Sequence, residues 1–397
     1  MGSLITLSVG RLEVDWGKNN FFINHSRLFL PLDNQRAVNL NEEEDEEDEP
    51  AYSRPLSSVV GRLELLGYNL EHCRGMYEDL ACAMPYEYKE VAVSFDQFAK
   101  ALKSVRVGRM RLPQPDEGYD LGEFTLDNIL RDPQFTKRLP QLKNYSRKEA
   151  TFFENMHPYV ILRLLAENQR NLSEDVVWRY HDVVDGGWIE EDKLYEGLED
   201  ADRYLIVTEG KSDSSILKKS LGLLYPDIVD FFTFVDMTEN YPFTGTGNLT
   251  NFCQGLARIR IQNKVLVVFD NDTAGNAAFQ KVRALHLPRN MRIALLPPLP
   301  DFESFPTLGP SGPNKEDING KAVAIELYLD LSHGPATTPT VRWTSYDKKL
   351  DRYQGELVDK ESFALDFIKQ RTLGPDYDVT KLRRVWDHLV EHCTTKS

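Results

Sequence analysis

KVLVVFDNDTAG, residues Lys264 to Gly275, decides the fold. Its first half, Val265-Leu266-Val267-Val268-Phe269, has no polar break, the pattern of a strand covered on both faces in a parallel sheet. Its second half turns acidic at Asp270 and Asp272. A second run, YLIVTEGKSD (Tyr204 to Asp213), repeats the design: Leu205-Ile206-Val207 leads into Glu209. Both read as central strands of an α/β domain. In open sheets of that kind ligands gather beyond the carboxyl ends of the strands, where these acids fall.

If the strand continues through Asp270 and Asp272, their side chains project to the same side, roughly 7 Å apart at Cα. Three carboxylates aimed at one point raise each other's pKa unless a cation neutralises them. Mg²⁺ or Mn²⁺ suits such a hard oxygen donor set. Gly210 permits a tight exit from the first strand, and Ser212 or Asp213 can cap a helix through Ile216, Leu217, Leu221 and Leu224. Asp213 is then a metal-site acid or simply a cap. Lys211, at the mouth of that turn, meets a phosphate oxygen or is an ordinary solvated lysine.

A strand ending in Glu-Gly, a helix, then a strand ending in Asp-x-Asp with a glycine close behind resembles the Toprim fold. That fold is shared by topoisomerases, DnaG-type primases, small RNA-maturing nucleases and the overcoming-lysogenization-defect nucleases. The resemblance runs from about Ala201 to about Leu331. It implies a Rossmann-like parallel sheet and a Mg²⁺- or Mn²⁺-dependent endonuclease site, with Glu209 as ligand and acid/base and with Asp270 and Asp272 holding the ion. The Glu209 and Asp213 spacing looks like the nuclease branch. EDINGKAVAIELYLDL (Glu316 to Leu331) is similar to a segment closing such domains, which adds Glu326 as a ligand candidate against its plainer reading as a solvated helix residue.

The first part of the chain, most clearly RLELLGYNLEHCR, resembles the amino-terminal module found beside HEPN or Toprim domains in bacterial immunity proteins. The implication is an anti-phage defence or toxin-like effector, restrained by a partner protein, an oligomer or a nucleic-acid trigger. The expected layout is a mixed α+β domain over 1–200 with an acidic loop at 41–53, the Toprim-like α/β domain over 201–331, and a small hairpin-plus-helices extension over 332–397.

Composition sets outer bounds. The chain has 397 residues, 62 acidic against 47 basic, and a net charge of −15. Eight of the acids form one run, Glu42 to Glu49, so more than half of the excess is local. Bases are dense at Arg106 to Arg111, Arg258 to Arg260, and Arg283 to Arg292, where they track phosphates or belong to solvated faces. Four cysteines without C-x-x-C spacing point to reduced thiols in a cytoplasmic protein, and no apolar run is long enough to span a bilayer.

Further expectations are strands within Leu4 to Leu32, helices over Glu149 to Arg170 and Asp175 to Tyr180, and a hairpin turning near Asp347-Lys348-Lys349. Arg383 to His388 fits the R-x-x-x-x-H spacing of HEPN ribonucleases, a match assigned to chance in so short a helix. No P-loop and no G-x-S-x-G elbow is present. Two rival functions remain. One is a haloacid-dehalogenase-type phosphatase, suggested by a D-x-D-x-T-like reading of the same acids with Asp270 as covalent nucleophile. The other is a Toprim scaffold that binds metal or nucleic acid, DNA or RNA, without cutting it.

Overall fold

Leu4–Val9 (β1) and Leu12–Lys18 (β2) form the hairpin that the alternating apolar residues of LITLSVGRLEV require. The computed structural model describes residues 2–37, 49–110, 133–138, 152–153, 155–235, 245–333 and 338–395. It divides into two packing units, Met1–Leu198 and Glu199–Ser397. Residues 332–397, expected as a separate extension, fall within the second unit.

In the first unit, Asn34–Ala37 (β3), Glu49–Pro55 (β4) and Asp175–Arg179 (β5) complete an antiparallel sheet of order β2-β1-β5-β4-β3. Two expectations are corrected here. Asp175 to Tyr180 is the central strand and not a helix: Val176, Val177 and Trp178 are strand-forming residues, and Trp178 is wholly buried against the rings of Phe29 and Tyr52. Residues 49–53 of the expected acidic loop belong to β4, while 41–48 lie outside the described residues.

Phe21 to Pro31 also departs from expectation. It folds into short 3₁₀ turns at Ser26–Leu28 and Pro31–Asp33. The wholly buried Arg62 guanidinium donates to the carbonyls of Arg27 and Phe29, which holds this segment away from any ladder. Leu56–Leu65 (α1) stops at Gly67, whose φ of 98° only glycine adopts easily, and Leu70–Ala83 (α2) restarts with Asn69 as its cap. Pro85–Val91 (α3) follows, then Phe95–Leu102 (α4), which opens on a Ser94/Gln97 capping box. Pro158–Leu165 (α5) is the part of the expected Glu149 to Arg170 helix that forms as a continuous helix among the described residues.

The second unit holds a four-stranded parallel sheet. Its strands are Tyr204–Val207 (β6), Phe232–Phe234 (β7), Lys264–Phe269 (β8) and, after the two-residue Asn271–Asp272 (β9), Met291–Leu295 (β10). The order is β10-β8-β6-β7, with β6 paired to β7 and β8, and β8 to β10, all parallel. The chain therefore runs outward from β6 one way and from β8 the other. The gap between β6 and β8 is the topological switch point of the sheet, where the carboxyl ends open a crevice.

Helices cover both faces, as the unbroken apolar strands demand. Thr246–Ile259 (α7) and Thr273–Arg283 (α8) enclose Val265, Val267 and Phe269 through Leu249, Cys253, Ala278 and Val282. On the other face lie Lys211–Leu224 (α6) and, after Lys360–Lys369 (α9), Thr380–Thr394 (α10). Trp386 of α10 is wholly buried, meets the Phe232 ring at 5.4 Å and donates to Ser220 of α6. Without α10 that face would be wet, so the C-terminal segment is part of the domain's covering layer. In the same helix His388 Nε2 bonds the Leu295 carbonyl at 3.1 Å.

Between these helices, Phe305–Gly309 (β11), Gly312–Glu316 (β12), Val341–Asp347 (β14) and Arg352–Leu357 (β15) form a second sheet of order β12-β11-β14-β15. The short Ala322–Val323 (β13) pairs with β9. No helix among the described residues is long and apolar enough to cross a membrane.

His157 offers a test of the first unit's packing. Its Nδ1 accepts the Tyr159 N–H and its Nε2 faces the Tyr68 hydroxyl at 3.1 Å. Burial, reinforced by nearby His25, pushes its pKa down from 6.5 to about 4. The folded value lies below the unfolded one, so this contribution to stability is intact above pH 6.5 and is lost as the pH falls toward 4. Urea unfolding of the full chain should show His157→Asn, which keeps a capping acceptor but cannot titrate, losing about 2 kcal/mol less than wild type between pH 7 and pH 4. Equal losses would mean that His157 is not the acid-sensitive group.

Candidate functional site

The crevice at the switch point receives Glu209 from the end of β6 and Asp270 from the end of β8. Val207 pairs with Val267, which sets the two strand ends side by side. Strand β8 stops at Phe269, Asp270 is irregular, and Asn271–Asp272 bends away to pair with Val323 and Ala322. The simple extended strand through both aspartates is thus replaced by a kink.

Gly275 explains the kink. A Cβ at this position would lie 2.2 Å from the Asp270 carbonyl oxygen. Only glycine lets the first turn of α8 press against the end of β8. Asp272 caps that helix: its Oδ1 accepts the Gly275 N–H at 2.6 Å, and its Oδ2 accepts from Gln354 Nε2 at 2.6 Å. Asn276 adds a bond to the Asp272 carbonyl at 2.7 Å. Asp213 has a matching duty in α6, where it accepts the Gly210 N–H at 2.8 Å. Capping uses one lone pair per oxygen and leaves others directed outward.

The five acids act on one another. Burial is the largest influence on Asp270, and the charges of Asp213, Asp272, Glu209 and Glu326 push its pKa further, well above the usual aspartate value. Asp213 is pushed up to about 8 by burial and by Glu326 and Glu209, against the bond from Gly210. Glu209 rises to about 7, through burial and Asp272, although the Thr246 N–H at the start of α7 bonds its carboxylate. Asp272 and Glu326 are raised chiefly by burial. Glu326 sits in a 3₁₀ turn, Ile325–Tyr328, only 4 % exposed and hydrogen-bonded by Ser212, so it is no solvated helix residue.

Two participants carried no signal in the sequence. Lys360, the first residue of α9, exerts its charge on Glu209, Asp213, Asp272 and Glu326. Gln354 of β15 bridges Asp272 and the Ala274 N–H. Both come from the C-terminal segment, and only tertiary closure brings them here. Lys211, by contrast, is exposed and in no ion pair among the described residues.

The donor set is chemically that of a hard divalent cation: oxygen only, partly desolvated, and with more negative charge than Lys360 offsets. Among the described residues no three of these groups stand in a ligating arrangement as the side chains lie. The acids fit a cation by chemistry and by field, and close coordination requires side-chain movement. The phosphatase reading fares worse. In D-x-D-x-T the threonine stands two places after the second acid, whereas Thr273 follows Asp272 directly, and its hydroxyl donates to the Tyr353 carbonyl.

In comparison with known proteins, the family model of HEPN/Toprim N-terminal domain 1 matches residues 1–202. No curated protein matches, and no solved structure does.

Two outcomes test this geometry. Gly275→Ala should cost about 2–3 kcal/mol in urea unfolding, because the α8 turn must lift off Asp270, while Gly247→Ala, with open space around its Cβ, should cost nothing. In buffer free of divalent ions, stability should fall as the pH rises from about 5 to 8: folded-state pKa values raised above the unfolded ones favour the fold only while protons remain bound. Asp270→Asn should reduce that fall. A wild-type profile that is flat over this range would remove the basis for mutual repulsion.

Proposed function

The chain belongs to the HEPN/Toprim N-terminal domain 1 family, and from that premise we propose that its second unit is a Toprim-type, Mg²⁺- or Mn²⁺-dependent endonuclease that hydrolyses nucleic-acid phosphodiester bonds. The observation that carries the reading is the meeting of Glu209 and Asp270 at the switch point of a parallel sheet, with the charges of Asp213, Asp272 and Glu326 also acting on Asp270 and that of Asp272 on Glu209. A fold gains nothing from repelling carboxylates in its interior, so their presence points to a cationic ligand.

Glu209, Asp270 and Asp213 would hold the ion, with Asp272 and Glu326 completing the negative field. A bound divalent cation supplies Lewis-acid polarisation of the phosphate and a more acidic water. Glu209, whose carboxyl titrates near neutrality, is suited to accept a proton from that water. Asp272, fixed by two hydrogen bonds, keeps α8 and the Asp270 backbone in register. Lys211, exposed and in no ion pair among the described residues, and Lys360, whose charge reaches four of the acids although Glu356 lies 3.6 Å away, are the cations that would meet a phosphate oxygen. The first unit, by the company its family keeps, would restrain or direct the nuclease in an anti-phage defence or toxin setting.

A non-catalytic metal- or nucleic-acid-binding scaffold is the second reading, favoured by the absence of a ready ligating triad among the described residues. One assay separates them. Purified protein incubated with supercoiled DNA, linear DNA, total RNA and tRNA under Mg²⁺ or Mn²⁺ should cleave at least one substrate, and Glu209→Gln and Asp270→Asn should each lower the rate at least about a hundredfold. Binding without turnover by wild type would select the scaffold. Cleavage unchanged in both variants would reject the site.

A further inference from the structure

The hairpin β14–β15 carries a row of aromatic rings, two of which the fold leaves exposed. Tyr346 and Tyr353 are directly paired across the strands, their ring centroids 5.0 Å apart, and each is 45 % exposed. Trp343, half-buried, extends the row, 5.8 Å from Tyr353. Its indole crosses the neighbouring strand at Gly355, where a Cβ would come within 2.8 Å of the ring. The rings are fixed in advance: Trp343 Nε1 donates to Glu316 at 2.7 Å, and the Tyr346 hydroxyl donates to Asp351. Phe21, Tyr86 and Trp188 are also exposed, but Tyr346 and Tyr353 are paired ring to ring, whereas Trp178 and Trp386 are completely buried.

Charge on the same hairpin selects the occupant. Arg342, Lys348, Lys349 and Arg352 are exposed and in no ion pair among the described residues. The hairpin's acids are engaged: Asp347 accepts the N–H groups of Lys349 and Leu350, Asp351 accepts from Tyr346, and Glu356 pairs with Lys360 at 3.6 Å. In a chain of net charge −15, free cations beside flat, exposed rings match a polyanion that presents flat faces. A duplex hides its base faces in the stack, whereas a single strand exposes them.

The row also adjoins the acidic crevice. Gln354, next to Tyr353, bonds Asp272, and the Tyr353 carbonyl accepts the Thr273 hydroxyl at 2.7 Å. Consecutive residues of a strand face opposite sides, so the rings and the carboxylates lie on two sides of β15, which is the edge strand of its sheet. Bonds from the Gly355 N–H to the Lys321 carbonyl and from Thr273 to the Tyr353 carbonyl already occupy part of that edge, so a flexible strand crosses from one side to the other beyond them.

We propose that Trp343, Tyr353 and Tyr346 form a stacking platform for single-stranded nucleic acid, feeding the adjacent carboxylates. The proposal rests on the reading of those carboxylates as a phosphodiester-cleaving centre. Its test is binding in EDTA, where no cleavage interferes, using fluorescein-labelled oligothymidylate, oligouridylate and a duplex of equal length with the full chain. Tyr346→Ala with Tyr353→Ala weakens binding of single strands about tenfold or more and leaves the duplex little affected, while the corresponding phenylalanine pair binds like wild type. Lys348→Ala with Lys349→Ala makes the binding less dependent on salt. Oligonucleotide addition also changes wild-type tryptophan fluorescence, and the change disappears in Trp343→Phe, a readout that does not depend on the alanine pair folding. Unaltered affinity in the alanine pair, or wild type that prefers the duplex, overturns the platform. Intact binding with no cleavage in Mg²⁺ or Mn²⁺ leaves the platform standing and defeats the nuclease reading instead.

Discussion

Repulsion among carboxylates at the ends of two adjacent parallel strands is the constraint around which the second unit is arranged. The sheet order makes it unavoidable: β6 and β8 lie side by side, and each runs directly into acid. The surrounding structure tempers it with backbone N–H groups from Gly210, Thr246 and Gly275, with Gln354, and with the ammonium of Lys360. Each of these offsets part of the repulsion. The pKa values of Glu209, Asp213 and Asp270 remain raised regardless, so the site holds a protonated or cation-bound state more readily than a fully ionised one.

The C-terminal segment takes part in that arrangement in three ways. Helix α10 closes one face of the sheet through Trp386, β15 locks Asp272 through Gln354, and α9 supplies Lys360. Cutting the chain after Leu331 would therefore leave a sheet with an uncovered face and an acidic site without its cation. This is why the unit behaves as one packing body from Glu199 onward and not as a core with an appendage.

What the sequence made legible was local. The unbroken apolar strands Leu205 to Val207 and Val265 to Phe269, the glycine after Asp-x-Asp and the Asp347 turn are all set by near neighbours, and they form as the local pattern implies. The failures have tertiary causes. Asp175 to Tyr180 looked helical until its pairing with β1 and β4 placed Trp178 at the centre of a sheet. Phe21 to Pro31 looked extended, but Arg62, more than thirty residues away, captures its carbonyls. At the site, Glu209 and Asp270 were readable from strand ends, whereas Lys360 and Gln354 have no pattern that links them to acids far upstream.

The central claim is that these acids share a deficit of positive charge that a divalent ion relieves. Calorimetric titration of Mn²⁺ into the metal-free protein, repeated in buffers of different ionisation enthalpy, counts the protons released on binding. Saturable binding that expels protons at pH 6.5, expels fewer at pH 8.5, and disappears in Asp270→Asn is the expected result. Absence of binding, or binding that releases no protons at either pH, would contradict it.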